Sequence, residues 1–279
     1  MNQGMSRKTE SFARIVVGLD ASQTSLMSLE WAARLARGLE LELSGLYVED
    51  INLIHLAGFR FAREFALSLQ SERPLSHDDM AARLRLQADQ ARQAVERLAG
   101  TTHLRCTFQV RRGDVGAVLL ETAQGTDLVV VGAQGAGGLA RRLGSCARRL
   151  LALARAPVLV VPARAVLTGP VVCLYDGSAG AERALSAAAR LAMVDHKALD
   201  VVVLATPSDW AHVKSQAMAL LNDYPELQVQ LLVQPRADWH TIASLGARLV
   251  VLPADHPWVR DESLERWIAQ QRVPVLVTR

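Results

Sequence analysis

Long apolar runs are missing from this 279-residue chain, although half of its residues are hydrophobic. No stretch reaches the roughly 18 apolar residues that a membrane-spanning helix needs, because Arg155 and Arg164 interrupt the most apolar segment. The N-terminal segment, MNQGMSRKTESF, also lacks the apolar core of a secretory signal peptide. We therefore expect a cytoplasmic protein with no membrane partner.

Cysteines, clustered charges and metal-ligand spacings are also scarce. Cys106, Cys146 and Cys173 are the only cysteines, and an odd number without ligand spacing favours a reducing compartment and no metal site. The net charge is +3, and the arginines are scattered rather than grouped, so we expect no nucleic-acid partner. The seven histidines show no paired spacing. With no recognisable nucleophile–base or paired-carboxylate pattern, we expect no independent catalytic centre.

What the chain does contain is an alternation of apolar strands and amphipathic helices. Strands separated by helices of this length predict right-handed βαβ units and a parallel sheet. Residues 49–78 are less regular and are interpreted as an insertion between the second strand and a long helix. The predicted strands of the first half are Ile15–Leu19, Leu41–Val48, Leu104–Val110, Leu128–Val131 and Pro157–Val161.

The same pattern then begins again at Val171. The motif DGS at Asp176 repeats DAS at Asp20, and the final PVLVTR repeats the PVLVVP of residues 157–162. This internal repeat predicts two α/β domains, 1–164 and 165–279. Each is expected to be Rossmann-like or flavodoxin-like, with an open five-stranded parallel sheet and helices on both faces.

One segment, Asp127 to Ser145, carries the strongest functional signal: DLVVVGAQGAGGLARRLGS. Four glycines after a buried strand can expose backbone N–H groups to a ligand, and Ser145 is predicted to cap a helix N-terminus that favours an anion. The segment has no lysine for a Walker A loop, and no acidic residue lies about 20 positions later, as a dinucleotide fingerprint requires. A phosphate or nucleotide site and a simple glycine-rich turn both remain open.

Taken together, these motifs resemble those of a tandem universal stress protein. They are strand–Asp-x-Ser–helix, strand–Gly-x-x-Gly–loop–Gly-Ser–helix and a short closing strand. The resemblance implies a stress-response sensor or regulator that binds ATP, or ADP or AMP, in the first domain, with Mg²⁺ possible beside the phosphates. It assigns ribose and phosphate binding to Gly132, Gly135, Gly144, Ser145 and the amide of Cys146, the adenosine portion to Asp20, and the adenine to the backbone near Val48.

The glycine loop departs from the family pattern in length. Eight residues separate Gly135 from Gly144, one fewer than the pattern. A residue lost from a helical turn would rotate the next part of the chain by about 100°, whereas a residue lost from the loop could be absorbed by the glycines. The alternative function is therefore a nucleotide-free interaction scaffold with a vestigial loop and an unknown protein partner. At most, we expect a slow ATPase.

Single residues of this region also have two interpretations. Asp20 either faces adenosine or only caps the following helix, and capping is the favoured role for Asp176, because the second half has LPADHPWVRDES in place of the glycine loop. Arg141 and Arg142 either pair with phosphates or form a solvated helix face. Cys146, near a helix start, is either a small packing residue or a thiol of lowered pKa.

The two closing strands predict how the halves meet. An apolar outermost strand leaves N–H and C=O groups unpaired and invites aggregation. Universal stress proteins commonly pair such strands across a dimer. The resemblance therefore implies that Val158–Val161 lie beside Val275–Val277, antiparallel, so that the chain forms a pseudo-dimer with itself; a homodimer of whole chains also remains open.

Overall fold

The computed structural model describes residues 12–59, 63–66, 71–74, 76–135, 142–234, 237–260 and 262–279. The first half contains β1 (Arg14–Leu19), α1 (Gln23–Gly38), β2 (Glu42–Asp50), α2 (Ile51–Ala57), β3 (Arg63–Ala66), β4 (Ser71–Pro74), α3 (His77–Thr102), β5 (Cys106–Gly113), α4 (Val115–Thr122), β6 (Leu128–Gly132), α5 (Ser145–Leu153) and β7 (Val158–Val161). The second half contains β8 (Val171–Tyr175), α6 (Ala179–Val194), β9 (Ala198–Val203), α7 (Trp210–Leu221), β10 (Gln228–Val233), α8 (Trp239–Ser244), β11 (Leu249–Pro253), α9 (Pro257–Arg260), α10 (Glu262–Gln270) and β12 (Val275–Thr278).

Ten of the strands form one sheet, in the order β10-β9-β8-β11-β12-β7-β6-β1-β2-β5. Each half contributes five parallel strands with its first strand in the middle, flanked by its second and fourth. The predicted α/β fold class is therefore confirmed. The two sheets are fused into one, and the domain boundary after residue 164 stays a prediction. The insertion adds a separate antiparallel pair, β3 and β4.

The strands are apolar throughout because helices cover both faces of the sheet. Ile15 and Val17 of β1 contribute to the core under α1, α3 and α6, whereas Val16 between them contributes to the core under α4, α5 and α10. Among the described helices, none is both long enough and apolar enough to cross a bilayer.

The halves are joined by the predicted antiparallel pairing of β7 with β12. Val160 lies opposite Val275, Leu159 opposite Leu276, and Val158 opposite Val277. Leu159 and Leu276 occupy the same position in the two repeats, since each is the second residue of its closing strand. A pseudo-two-fold axis therefore passes between these two leucines.

Equivalent but unlike residues meet across this axis on both faces of the sheet. Gly38 and Val194 are equivalent residues, because each ends a 16-residue helix that begins three residues after the aspartate at the end of the preceding strand. They are in close contact, since a Cβ built on Gly38 would collide with the Val194 side chain. On the other face, Arg148 of α5 lies 3.9 Å from Glu265 of α10, and both helices end five residues before their closing strand. Glycine thus meets valine, and arginine meets glutamate, where a symmetric homodimer would place identical residues together.

Candidate functional site

A cavity of about 680 Å³ opens at the carboxyl ends of β1, β2 and β6 in the first half. Ligands of open α/β sheets bind at this edge, beside the position where the strand order reverses direction. The volume lies in the range of small-molecule sites. All seven residues assigned by the sequence line this cavity: Asp20, Val48, Gly132, Gly135, Gly144, Ser145 and Cys146.

The two ends of the glycine loop lie next to each other. The Gly144 N–H donates to the carbonyl of Ala133 at 2.8 Å, and a Cβ built on Gly144 would lie 3.5 Å from the Gly135 nitrogen. The helix α5 starts immediately after Gly144, so its N-terminus is tied to the end of β6 although the loop is one residue short. Arg141 and the rest of residues 136–141 lie outside the described residues, and Arg142 is exposed.

The start of α5 corrects one sequence prediction. Gly144, not Ser145, is the N-cap residue, and Ser145 is the first helical residue. Since Gly144 has no side chain, it makes no side-chain cap hydrogen bond. The N–H groups of a first helical turn have no partner within the helix, and they form the positive end of its dipole. In this region of the cavity, the amides of Ser145 and Cys146 suit an anion.

Asp20 shapes the turn into α1 and also reaches the glycine loop. The N-cap of α1 is Ser22 rather than Asp20, and the adenosine contact of Asp20 stays a prediction. One carboxylate oxygen, Oδ1, accepts a hydrogen bond from the Ser22 N–H at 3.0 Å and so shapes the turn into α1. The other, Oδ2, lies 3.2 Å from the position a Gly135 Cβ would take, so it reaches across to the glycine loop. Asp176 makes the same turn contact, to the Ser178 N–H at 2.9 Å. The N-cap of α6 is Ser178, whose side chain accepts from the Ala181 N–H, so the predicted capping role of Asp176 is wrong and its contact belongs to the turn before the cap.

One wall of the cavity comes from the insertion and the long helix that follows it. Leu53 of α2 and Met80 and Leu84 of α3 supply an apolar surface, and a small buried cluster that includes Ala57 holds these two helices together. Farther along α3, Gln87 accepts a hydrogen bond from the Tyr47 hydroxyl at 3.1 Å. Sequence reasoning missed this wall, although the apolar spacing of α3 continues back through Leu84 to Met80.

Acidic and basic side chains are nearly balanced around the cavity. Asp20, Asp50 and Asp114 line it together with Arg83 and Arg149. Arg149 is paired with Asp114, since its Nη1 lies 2.5 Å from Oδ1 of that carboxylate. Charged side chains alone would therefore not balance the charge of several phosphate groups, and backbone N–H groups would have to contribute.

The Cys146 thiol contradicts one interpretation of its sequence position. Burial, followed by the nearby Asp20 and Asp114 carboxylates, raises the pKa of Cys146 to about 12. Burial, with Glu49 and Asp20, likewise raises the pKa of Tyr47 to about 12. Both groups are neutral near pH 7, so the suggestion of a thiol with a lowered pKa is wrong.

In the second half, an aromatic cluster lies in the region that corresponds to part of the first-half cavity. Trp239 packs against Trp258 and Trp267, with ring centroids 4.5 and 4.8 Å apart, and His256 lies edge-on to Trp258 at 5.2 Å. Trp239 is the first residue of α8. Its counterpart in the first half is Val115, the first residue of α4, which lines the cavity. This aromatic cluster therefore lies at the position that corresponds to the Val115 edge of the first-half cavity.

A carboxylate also covers the first turn of α6 in the second half. A Cβ built on Gly180 would lie 2.7 Å from the Asp255 carboxyl carbon. Burial lowers the pKa of the neighbouring His256, which favours its neutral form. Nowhere in the described part of the chain do three or more His, Cys, Asp or Glu side chains converge as a metal site would require.

Comparison with known proteins places these features in a family context. The model of the Universal stress protein family matches residues 11–162. A universal stress protein of Mycolicibacterium smegmatis is 29% identical over 272 residues, with 85% of each chain covered. A universal stress protein of Mycobacterium tuberculosis is 29% identical over 170 residues, covering 59% of this chain and 54% of its own. In the crystal structure of a universal stress protein from Archaeoglobus fulgidus, the fold agrees over 98% of this chain and 99% of the other, with a TM-score of 0.68 and 15% identity.

Proposed function

Because the chain belongs to the universal stress protein family, we propose that its first half binds ATP or a related adenine nucleotide and that the protein acts as a nucleotide-dependent sensor or regulator in stress responses. The observation that carries this proposal is the convergence of all seven sequence-assigned residues on one cavity of about 680 Å³. The second half would contribute no nucleotide site.

The parts of the cavity suit different parts of such a ligand. Phosphates would lie beside the glycine loop and at the start of α5, which has no side-chain cap and whose first N–H groups have no partner within the helix. The Asp20 carboxylate would accept a hydrogen bond from a ribose hydroxyl. The base would lie near the end of β2 at Val48, against the apolar wall of Leu53 and Met80. One helix N-terminus supplies only about 0.3 to 2 kcal/mol toward an anion, so binding must draw on many such contacts.

Any Mg²⁺ would arrive with the phosphates rather than occupy a protein cage. The described residues hold no group of three or more potential ligand side chains, and Mg²⁺ commonly binds through one or two carboxylates together with phosphate oxygens and water. The Asp20 carboxylate, which lies 3.2 Å from the position a Gly135 Cβ would take, would be available for that role. ADP and AMP, which carry fewer phosphates, should then depend less on Mg²⁺ than ATP does.

The test is calorimetric titration of the full chain with ATP, ADP and AMP, with and without Mg²⁺. A micromolar dissociation constant corresponds to about 8 kcal/mol, and we expect one nucleotide per chain. Substituting Gly135→Val should abolish binding, because the added branches would lie in the cavity beside Asp20. Gly132 is less suitable, since a Cβ there would lie 2.7 Å from the Thr24 methyl group and disturb the packing.

The matched control is Gly125→Val, because a Cβ at Gly125 meets nothing within 4 Å and this glycine does not line the cavity. It should bind nucleotide like the wild type. A mass spectrum of small molecules released from the denatured protein gives an independent check. No heat with any nucleotide, and none released, would leave the interaction scaffold as the better proposal. The exposed Leu56 and Phe59, at α2, favour that second function. Binding of two nucleotides per chain would contradict the proposal that the second half has no nucleotide site.

A further inference from the structure

The helix α5 is held at both ends, and only one of those ends belongs to the cavity. Its N-terminus lines the cavity through Ser145 and Cys146. At its C-terminal end, the Arg279 guanidinium donates through Nη2 to the carbonyl of Leu151, and at 3.5 Å to that of Leu150. Arg279 follows β12 in the second half, so this contact crosses from one repeat to the other.

The backbone of Arg279 is itself anchored. Its main-chain oxygen accepts a hydrogen bond from Nε of Arg183 in α6 at 2.9 Å. The guanidinium is partly buried, and its own Nε has no hydrogen-bond partner among the described residues. Its donors are thus directed mainly at the two α5 carbonyls. A cation at this position stabilises the negative end of the helix dipole, more strongly when partly buried than at the surface.

The contact has no counterpart on the other side of the pseudo-two-fold axis. The residue equivalent to Arg279 is Pro162, directly after β7, and proline has no side-chain donor with which to hold α10. The last four residues of α5 read LLAL and include no cation. The contact of Arg279 with the α5 carbonyls, here called the Arg279 clamp, therefore holds the C-terminal end of the helix whose N-terminal residues Ser145 and Cys146 line the cavity.

We propose that the second half holds α5 in position for the nucleotide, with Arg279 as the positioning residue. The inference rests on the function proposed above. It assigns a role to a repeat that lacks the glycine loop and that has Asp255 beside the first turn of α6. Without Arg279, α5 would fray at its C-terminal end, and ordering it would take up part of the nucleotide binding free energy.

The test compares Arg279→Met with Arg34→Met in the full chain. Arg34 also crosses between the halves, to Asp195 at 2.5 Å, but it belongs to α1 and does not line the cavity. Arg279→Met should weaken nucleotide binding about tenfold and speed hydrogen exchange of the α5 amides without nucleotide. Arg34→Met should lower the denaturation midpoint but leave the nucleotide affinity and the hydrogen exchange of the α5 amides unchanged. Arg279→Lys, which keeps the cation, should recover most of the affinity.

The possible outcomes distinguish failure of the Arg279 clamp from failure of the proposed nucleotide site. Equal effects of Arg279→Met and Arg34→Met on affinity, or unchanged α5 exchange in Arg279→Met, would overturn the inference. A wild type that binds no nucleotide would overturn the proposed function and the positioning role together. In that case, faster α5 exchange in Arg279→Met would still support the structural clamp.

Discussion

A methyl group added at Gly38 should weaken the junction between the two halves. Gly38 ends α1, and its built Cβ would lie 2.9 Å from both Cβ and Cγ2 of Val194 and closer still to Cγ1. Real Cβ atoms almost never approach other heavy atoms closer than 3.0 Å, so the two helices must move apart. The neighbouring ion pair of Arg34 with Asp195, at 2.5 Å, would be disturbed by the same movement.

The expected cost of Gly38→Ala is the difference between two opposing terms. Overpacking of a close contact typically costs about 1 to 3 kcal/mol, whereas replacing a helical glycine with alanine gains about 1 kcal/mol or less. The net result should be destabilisation by about 1 to 2 kcal/mol. The measurement is the free energy of unfolding from urea denaturation followed by circular dichroism.

Two further variants make the result decisive. Gly100 lies within α3, and a Cβ there meets nothing within 4 Å, so Gly100→Ala should stabilise by up to about 1 kcal/mol. The Gly38→Ala/Val194→Ala pair should be less destabilised than the two single changes added together, because the shorter side chain removes the closest contact. If Gly38→Ala proves as harmless as Gly100→Ala, or if the double variant is simply additive, the described junction is wrong.

Two other predictions concern the turn after β1 and the charge pair across the axis. Ala21 has a φ of 59°, where its equivalent Gly177 has 81°; Ala21→Gly should therefore stabilise by about 1 kcal/mol, and a loss of stability on denaturation would refute the turn geometry. Glu265→Arg would place two guanidinium groups across the axis, and since both positions are well exposed to solvent the loss should be only about 0.5 to 1 kcal/mol. Reversing the pair, Arg148→Glu with Glu265→Arg, should restore stability at low salt, and no recovery would mean that these helices do not face each other.

Much of the sheet could be predicted from local sequence, because a strand covered on both faces must be apolar at every position. The run Leu128 to Val131 predicts a strand, and β6 extends it only by Gly132. The repeat identifies the closing strands, and their antiparallel pairing follows from the resemblance to universal stress proteins together with the cost of leaving an apolar edge open. The cytoplasmic location and a homodimer of whole chains stay predictions.

Predictions that depend on one backbone bond or one local charge are less successful. Residue type predicts Ser145 as the N-cap, but the bond from the Gly144 N–H to the Ala133 carbonyl sets the helix start one residue earlier. The helix dipole suggests a lowered pKa for the Cys146 thiol. Its burial beside Asp20 and Asp114 outweighs that effect and raises the pKa.

The sequence by itself determined the two repeats and the parallel sheet that their βαβ units imply. It also determined the convergence of the glycine loop, Asp20 and Val48 on one end of the first sheet, because these features depend on periodicity and chain direction. Only the tertiary structure decided the long-range contacts. Arg248 is wholly buried, and its Nη2 donates to the carbonyls of Leu191 and Asp195, which lie far away in sequence. The ring contact of Trp239 with Trp258 and the bond from Arg279 to α5 likewise join segments whose proximity no local pattern encodes. Such contacts depend on how the helices pack on a sheet that spans both halves.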